Sequence, residues 1–269
     1  MRDETGSPAA AVDTAVAAYA LRLGDDALIA SHRLAELVAR APQLEEDVAL
    51  SNISLDLLGQ ARSLLSYAGR TEEQLTGVLR TEDDLAYLRD EAQFVNCRLV
   101  ELPNTDFAYT VVRQMLFSGY AFELYSALTR SADETFAGIA GKAVKEVSYH
   151  RDHAAQWAVR LGDGTGESSG RMASALEAAW PYVDELFAGD DVTRIIAGAG
   201  IGPDPADLRP AWDAFVDGAL AEAELRRPQV PAVTGLAGMG GRDGVHTEAF
   251  GYLLAEMQHL HRSHPGAAW

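Results

Sequence analysis

Ser51-Asn52-Ile53-Ser54-Leu55-Asp56-Leu57-Leu58-Gly59-Gln60-Ala61-Arg62 lies inside an apolar stripe that continues past both of its ends. Leu50, Ile53, Leu57, Ala61, Leu64 and Ala68 recur at spacings of three and four, the period of one buried helix face. Upstream, Pro42 is a good first-turn residue, and Glu45, Glu46 and Asp47 sit where a helix N-terminus favours negative charge. The stretch therefore predicts a long helix from about Pro42 to about Ala68, with one side committed to a core.

The same reading extends outward in both directions. A helix is expected from Thr14 to Arg40, with Gly24-Asp25-Asp26 as a point where it bends or restarts and Ala41-Pro42 as its stop. Further helices are expected from Glu82 to just before Pro103, from Asp106 to Arg130, and from Asp133 to Leu161, which Gly162-Asp163-Gly164-Thr165-Gly166 ends. Three more fit Gly170 to Phe187, Asp207 to Leu225 and Val245 to His264. Period-two alternation is nearly absent, so the fold class is all-α. Long helices joined by short turns predict a four-helix bundle core over about 13–161 with C-terminal helices over about 170–269. Together these make a single domain, 13–269, behind a flexible N-terminal segment, 1–12. Pro228 to Gly244 is rich in proline and glycine, a long connection of the kind that is often functional or partner-bound.

Composition narrows the function classes. Hydrophobic residues make up 48% of 269, enough for a sizeable core. The formal net charge of -18 argues against nucleic acid and anionic membranes, which it would repel. Cys97 is the only cysteine, so no intramolecular disulfide and no cysteine-rich metal site forms. Met1 to Val12 does not read as a secretory signal, and no apolar run approaches the roughly 20 residues of a membrane helix. A cytoplasmic protein is expected. There is no Gly-rich dinucleotide turn after a strand, no phosphate loop and no Gly-x-Ser-x-Gly elbow.

Helical bundles that activate oxygen often hold two irons, using a carboxylate from each of two helices and a Glu-x-x-His from each of the other two. In the first hairpin, Asp26 and Asp56 are equidistant from the turn, but Asp56 is followed at the third position by Gly59 where an imidazole is needed. In the second, Glu146 is the mid-helix acid. Ser118 occupies the facing position and Tyr149 the histidine position, with His150 turned about 100° away. Two imidazoles and a carboxylate are missing. Asp26, Asp56, Gly59, Ser118, Glu146 and Tyr149 thus read as a vestigial shell. Glu146, His150 and His153 share one helix face and form an alternative iron or zinc set, although three ligands from one helix make an awkward facial arrangement. The same acids also read simply as solvated or paired charges.

Several segments resemble the C subunits of bacterial phenylacetyl-CoA epoxidases. They include Leu21-Arg22-Leu23-Gly24-Asp25, His32-Arg33-Leu34, Ala41-Pro42-Gln43-Leu44-Glu45 and the Ser51–Arg62 stretch itself. Arg89-Asp90-Glu91, Gln93-Phe94, Glu101-Leu102-Pro103-Asn104, Phe107-Ala108, Lys145-Glu146, Tyr149-His150 and Arg160-Leu161-Gly162-Asp163-Gly164-Thr165 continue the likeness. Gly244-Val245-His246-Thr247-Glu248, Glu256-Met257-Gln258 and Pro265-Gly266 with Trp269 complete it. The resemblance implies a ferritin-like fold and a structural, non-catalytic subunit without a cofactor of its own. It implies a homologous A subunit that carries a di-iron centre and binds the acyl-CoA, other epoxidase subunits, and oxygen with NADPH-derived electrons as co-substrates. Buried Asp56 and Glu146 would then need a cation in place of metal, and Lys142, Lys145 and Arg62 are the candidates.

Overall fold

The computed structural model describes residues 8–233 and 240–267. Among them the regular structure is helical: α1 (Pro8–Ala35), α2 (Leu44–Thr76), α3 (Glu82–Tyr87), α4 (Phe107–Leu128), α5 (Glu134–Gly162), α6 (Gly166–Ala179), α7 (Asp191–Gly198), α8 (Pro205–Glu222) and α9 (Glu248–Ser263). Two hairpins, α1–α2 and α4–α5, form the bundle and meet where α2 packs on α5. The long connection between α2 and α4 is the single crossover of a ferritin-like arrangement. The C-terminal helices α6 and α8 cover α4, and α9 packs against α3.

Local chemistry sets the boundaries. Gln43 precedes α2 in extended conformation, and Gly77 closes it in the left-handed region at φ 76°, donating to the Glu73 carbonyl. Asp106 caps α4 by accepting from the Tyr109 N–H, and Asp133 caps α5 by accepting from Thr135 and Phe136. Seventeen of the 22 residues of α4 are buried, so this helix is apolar nearly all round and lies at the centre.

The structure corrects several expected bounds. Gly24-Asp25-Asp26 neither bends nor restarts α1, which runs through them unbroken. The glycine is there for proximity, since a Cβ at Gly24 would sit 2.8 Å from Leu65 Cδ2. Helix α1 begins at Pro8, so 8–12 are helical; residues 1–7 lie outside the described residues. The helix expected from Glu82 to Pro103 stops at Tyr87 and gives way to two 3₁₀ turns, Glu91–Gln93 and Arg98–Glu101. The stretch to Phe187 likewise ends as α-helix at Ala179 and finishes in 3₁₀ turns, while α7 was not anticipated. Of the Pro228–Gly244 connection, 234–239 lie outside the described residues. On either side, Val233 donates to the Pro181 carbonyl and Gly241–Asp243 form a 3₁₀ turn. No helix among the described residues is long and apolar enough to cross a membrane.

Candidate functional site

The buried face of α5 is Phe136, Ala140, Ala143, Val147, His150, Ala154 and Ala158. This stripe settles which residues point inward. His150 is on it and fully buried, whereas Tyr149 is half exposed and turned outward. The expectation that Tyr149 occupies the inward histidine position is therefore corrected: the interior imidazole belongs to His150. The hairpin midpoint gave the wrong register, and the spacing of the apolar residues gives the right one.

Three polar pairs cross from α5 to α2. His150 Nε2 lies 3.1 Å from Asp56 Oδ2. His153 Nε2 lies 2.8 Å from Glu46 Oε2. Gln60 Nε2 donates to Glu146 Oε2 at 3.0 Å, and Lys142 Nζ sits 3.3 Å from the other Glu146 oxygen. Burial pushes the His150 imidazole below its ordinary value, although Asp56 and Glu146 pull the other way. Its Nε2 is committed to Asp56, while its buried Nδ1 has no protein partner.

The other expected shell residues separate. In α1–α2, Ser31 exchanges hydrogen bonds with Ser54, and Gly24 abuts Leu65. That register sets Asp26 level with the turn around Ala61 rather than with Asp56. Asp26 is engaged elsewhere: Arg242 grips both of its oxygens, at 2.9 and 2.7 Å, and the Cys97 N–H donates to it at 2.7 Å. Ser118 is buried and donates to the Gln114 carbonyl one turn back on its own helix. Gly59 faces Lys142, whose Nζ would lie 3.9 Å from an added Cβ.

Of the three candidate cations, only Lys142 reaches Glu146. Arg62 pairs with Glu82, and Lys145 is exposed. The neutral Gln60, absent from the expected set, supplies the second contact to Glu146. Glu46 was also not anticipated. Both stand on the α2 side that faces α5, where a glutamine or glutamate opposite an acid or histidine was the available signal.

The donor set does not fit a metal. Glu146, His150 and His153 face three different partners on α2 rather than one point. Among the described residues no group of three or more His, Cys, Asp or Glu converges as a metal ion requires. The alternative ligand set of Glu146, His150 and His153 is corrected accordingly.

A second buried polar region ties the crossover and the C-terminal segment to α1. Asp25 is paired with Arg89, which also donates to the Gln93 carbonyl, and Val95 N–H donates to the same carboxylate. Glu101 accepts from Asn96, from the Thr247 N–H and from His246. Arg98 and the Gly241 N–H both bind Glu185. Cys97 lies within this region, and burial raises its thiol well above the ordinary value.

Comparison with known proteins gives a consistent result over the full length. The family described as phenylacetic acid catabolic protein matches residues 1–269. The C subunit of the 1,2-phenylacetyl-CoA epoxidase of Escherichia coli (strain K12) is 45% identical over 252 residues, covering 94% of this chain and 98% of that one.

Proposed function

We propose, from the premise that the chain belongs to the phenylacetic acid catabolic protein family, that it is a subunit of a 1,2-phenylacetyl-CoA epoxidase assembly and acts there as a structural component. Its partner in this reading is a homologous A-type subunit that carries the di-iron centre and holds the aryl-acyl-CoA, alongside the other subunits of the complex. The chain itself uses no cofactor. Its own work is to present long, rigid helix faces that shape and stabilise the catalytic partner.

The observation that carries the non-catalytic part is the one-to-one pairing across the α2–α5 seam. Each carboxylate and imidazole there meets its own neighbour on the facing helix, in three separate pairs, which supports a seam held by side-chain pairing rather than by a common ion. Glu146 accepts from the neutral Gln60 amide and lies beside Lys142, and burial pushes the His150 imidazole below its ordinary value, both of which support a seam that works without metal.

Co-expression with the A-type homologue, followed by purification through a tag on this chain and metal analysis, tests the reading. Co-purification of the partner is expected, with iron tracking the partner. Stoichiometric iron in this chain alone, lost on Glu146→Ala, would overturn the structural role. A chain that never captures the partner would overturn membership of the assembly.

A further inference from the structure

Two buried polar atoms on neighbouring helices lack a protein partner: His150 Nδ1 on α5 and Gln114 Nε2 on α4. His150 is fully buried and Gln114 is 4% exposed, so bulk solvent does not supply the missing bonds. A polar atom left unpaired at such a place carries the full penalty of its desolvation.

A ring contact sets the level of the two residues. Phe107 of α4 packs edge-to-face on Trp157 of α5, with centroids 5.0 Å apart. Gln114 lies seven residues after Phe107, and His150 lies seven residues before Trp157. Helices α4 and α5 form an antiparallel hairpin, and seven residues are close to two full turns. Gln114 and His150 therefore stand level with each other on the faces that meet. One turn away are Thr110 and Ser118 on α4 and Ala154 on α5, all buried and all small.

Chemistry then fixes the hydrogen-bond roles. The Asp56 carboxylate only accepts, so the His150 Nε2 that meets it carries a proton. Burial lowers the imidazole's value, which leaves Nδ1 as a bare lone pair in need of a donor. The Gln114 Nε2 amide is a donor in need of an acceptor. The two needs are complementary, yet no direct bond joins the groups. A single water serves both, accepting from the amide and donating to the imidazole. Ser118 Oγ, whose own hydrogen goes to the Gln114 carbonyl, keeps lone pairs one turn along for the second hydrogen of that water.

We infer that the bundle interior holds one ordered water between Gln114 Nε2 and His150 Nδ1, and that Gln114 acts through it as the positioning residue for His150. The series Asp56, His150, water and Gln114 joins α2, α5 and α4, and it holds the imidazole as the Nε2–H tautomer.

The site lies wholly within this chain, so the isolated full-length chain serves for the test. It is labelled with a nitrogen isotope, and its seven imidazoles are read by long-range proton–nitrogen correlation at a pH above the ordinary histidine value of 6.5. His150 is assigned by its loss in His150→Asn. It is expected as the Nε2–H tautomer, with Nδ1 at the shift of a hydrogen-bonded lone pair. The Gln114 side-chain amide is expected to show a nuclear Overhauser cross-peak to water of the sign that marks a bound molecule. Gln114→Met keeps the length of the side chain and removes the amide. In it the Nδ1 resonance is expected to move to that of an unbonded ring nitrogen while Nε2 stays protonated.

An Nδ1–H tautomer would overturn the inference. So would an Nδ1 resonance that is the same in wild type and Gln114→Met, since a glutamine that only fills space would leave it there. Absence of the bound-water cross-peak overturns it in the wild-type chain alone, whether or not the variant folds, and would mean a direct bond or a dry contact. Zinc titrated into the chain is expected to leave the His150 resonances in place. Stoichiometric displacement of Nδ1 would make it a metal ligand and overturn the water site.

Discussion

Two buried histidines respond to pH in opposite senses because their neighbours differ. Burial lowers the His150 value from 6.5, and burial lowers that of His32 in the same way. For such a group the unfolded chain takes up the proton first. Its stabilising contribution is complete above about pH 6.5 and is lost as pH falls through the folded value. For His246, burial again works to lower the value, but the hydrogen bond and charge of Glu101 outweigh it and the value is raised. Its contribution is complete below about pH 6.5 and is lost as pH rises through the folded value. Denaturant midpoints measured between about pH 5 and 8 should therefore fall at both ends. His150→Asn is expected to flatten part of the acid limb, to which His32 also contributes, and His246→Asn part of the alkaline one, to which Asp26, raised by burial, also contributes. A His150→Asn variant with an unchanged acid limb would refute the account. The role of His150 was legible in the sequence, because Phe136, Ala140, Ala143, Val147, Ala154 and Ala158 place position 150 on the buried stripe. It was missed because the position of the turn is a weaker guide to register than the period of the apolar residues. His246 was not legible, since Glu101 is far away in sequence and nothing local announces the pair.

Glycines within helices separate what a helix needs from what its neighbours need. In α2, a Cβ on Gly69 would lie 1.9 Å from the Arg80 carbonyl oxygen, a backbone atom that cannot turn aside. Gly69→Ala is expected to push the Gly77–Glu82 connection off the helix and cost about 1–3 kcal/mol. In α5, Gly138→Ala meets no atom and should stabilise the isolated chain by about 0.5–1 kcal/mol. Thermal melts of the two variants with opposite signs would bear out the contrast; two losses of equal size would not. The helices themselves were largely readable, since their stripes, caps and stop signals are local. The segment 88–104 was not, and the reason is visible in its side chains. Arg89 leaves the helical path to reach Asp25, Val95 N–H follows it, and Asn96 turns to Glu101. Residues with good helix propensity are drawn into 3₁₀ turns because two buried acids, Asp25 and Glu101, need donors more than the segment needs regular structure.

At the scale of the molecule, the bundle is closed by contacts between its first helix and its C-terminal segment that no local pattern foretells. Arg242 reaches Asp26 across 216 residues and also donates to the Val95 carbonyl, so one guanidinium holds α1, the crossover and the C-terminal segment together. Burial opposes its charge, but Asp26 beside it raises the Arg242 value and keeps it ionised. Arg242→Ala would leave Asp26 buried without its cation, an outcome that costs about 3–5 kcal/mol. Replacing both members, Asp26→Leu with Arg242→Met, removes the unpaired charge and should recover much of that loss. The recovery is incomplete, because the Cys97 N–H and the Val95 carbonyl still lose their partners. Hydrogen exchange separates a local clasp from a global effect. In Arg242→Ala, amides of 94–101 and 240–247 are expected to exchange faster together, while the α2–α5 seam keeps its protection. If the seam opens equally, or if the single variant melts like wild type, Arg242 is not the residue that couples the C-terminal segment to the bundle.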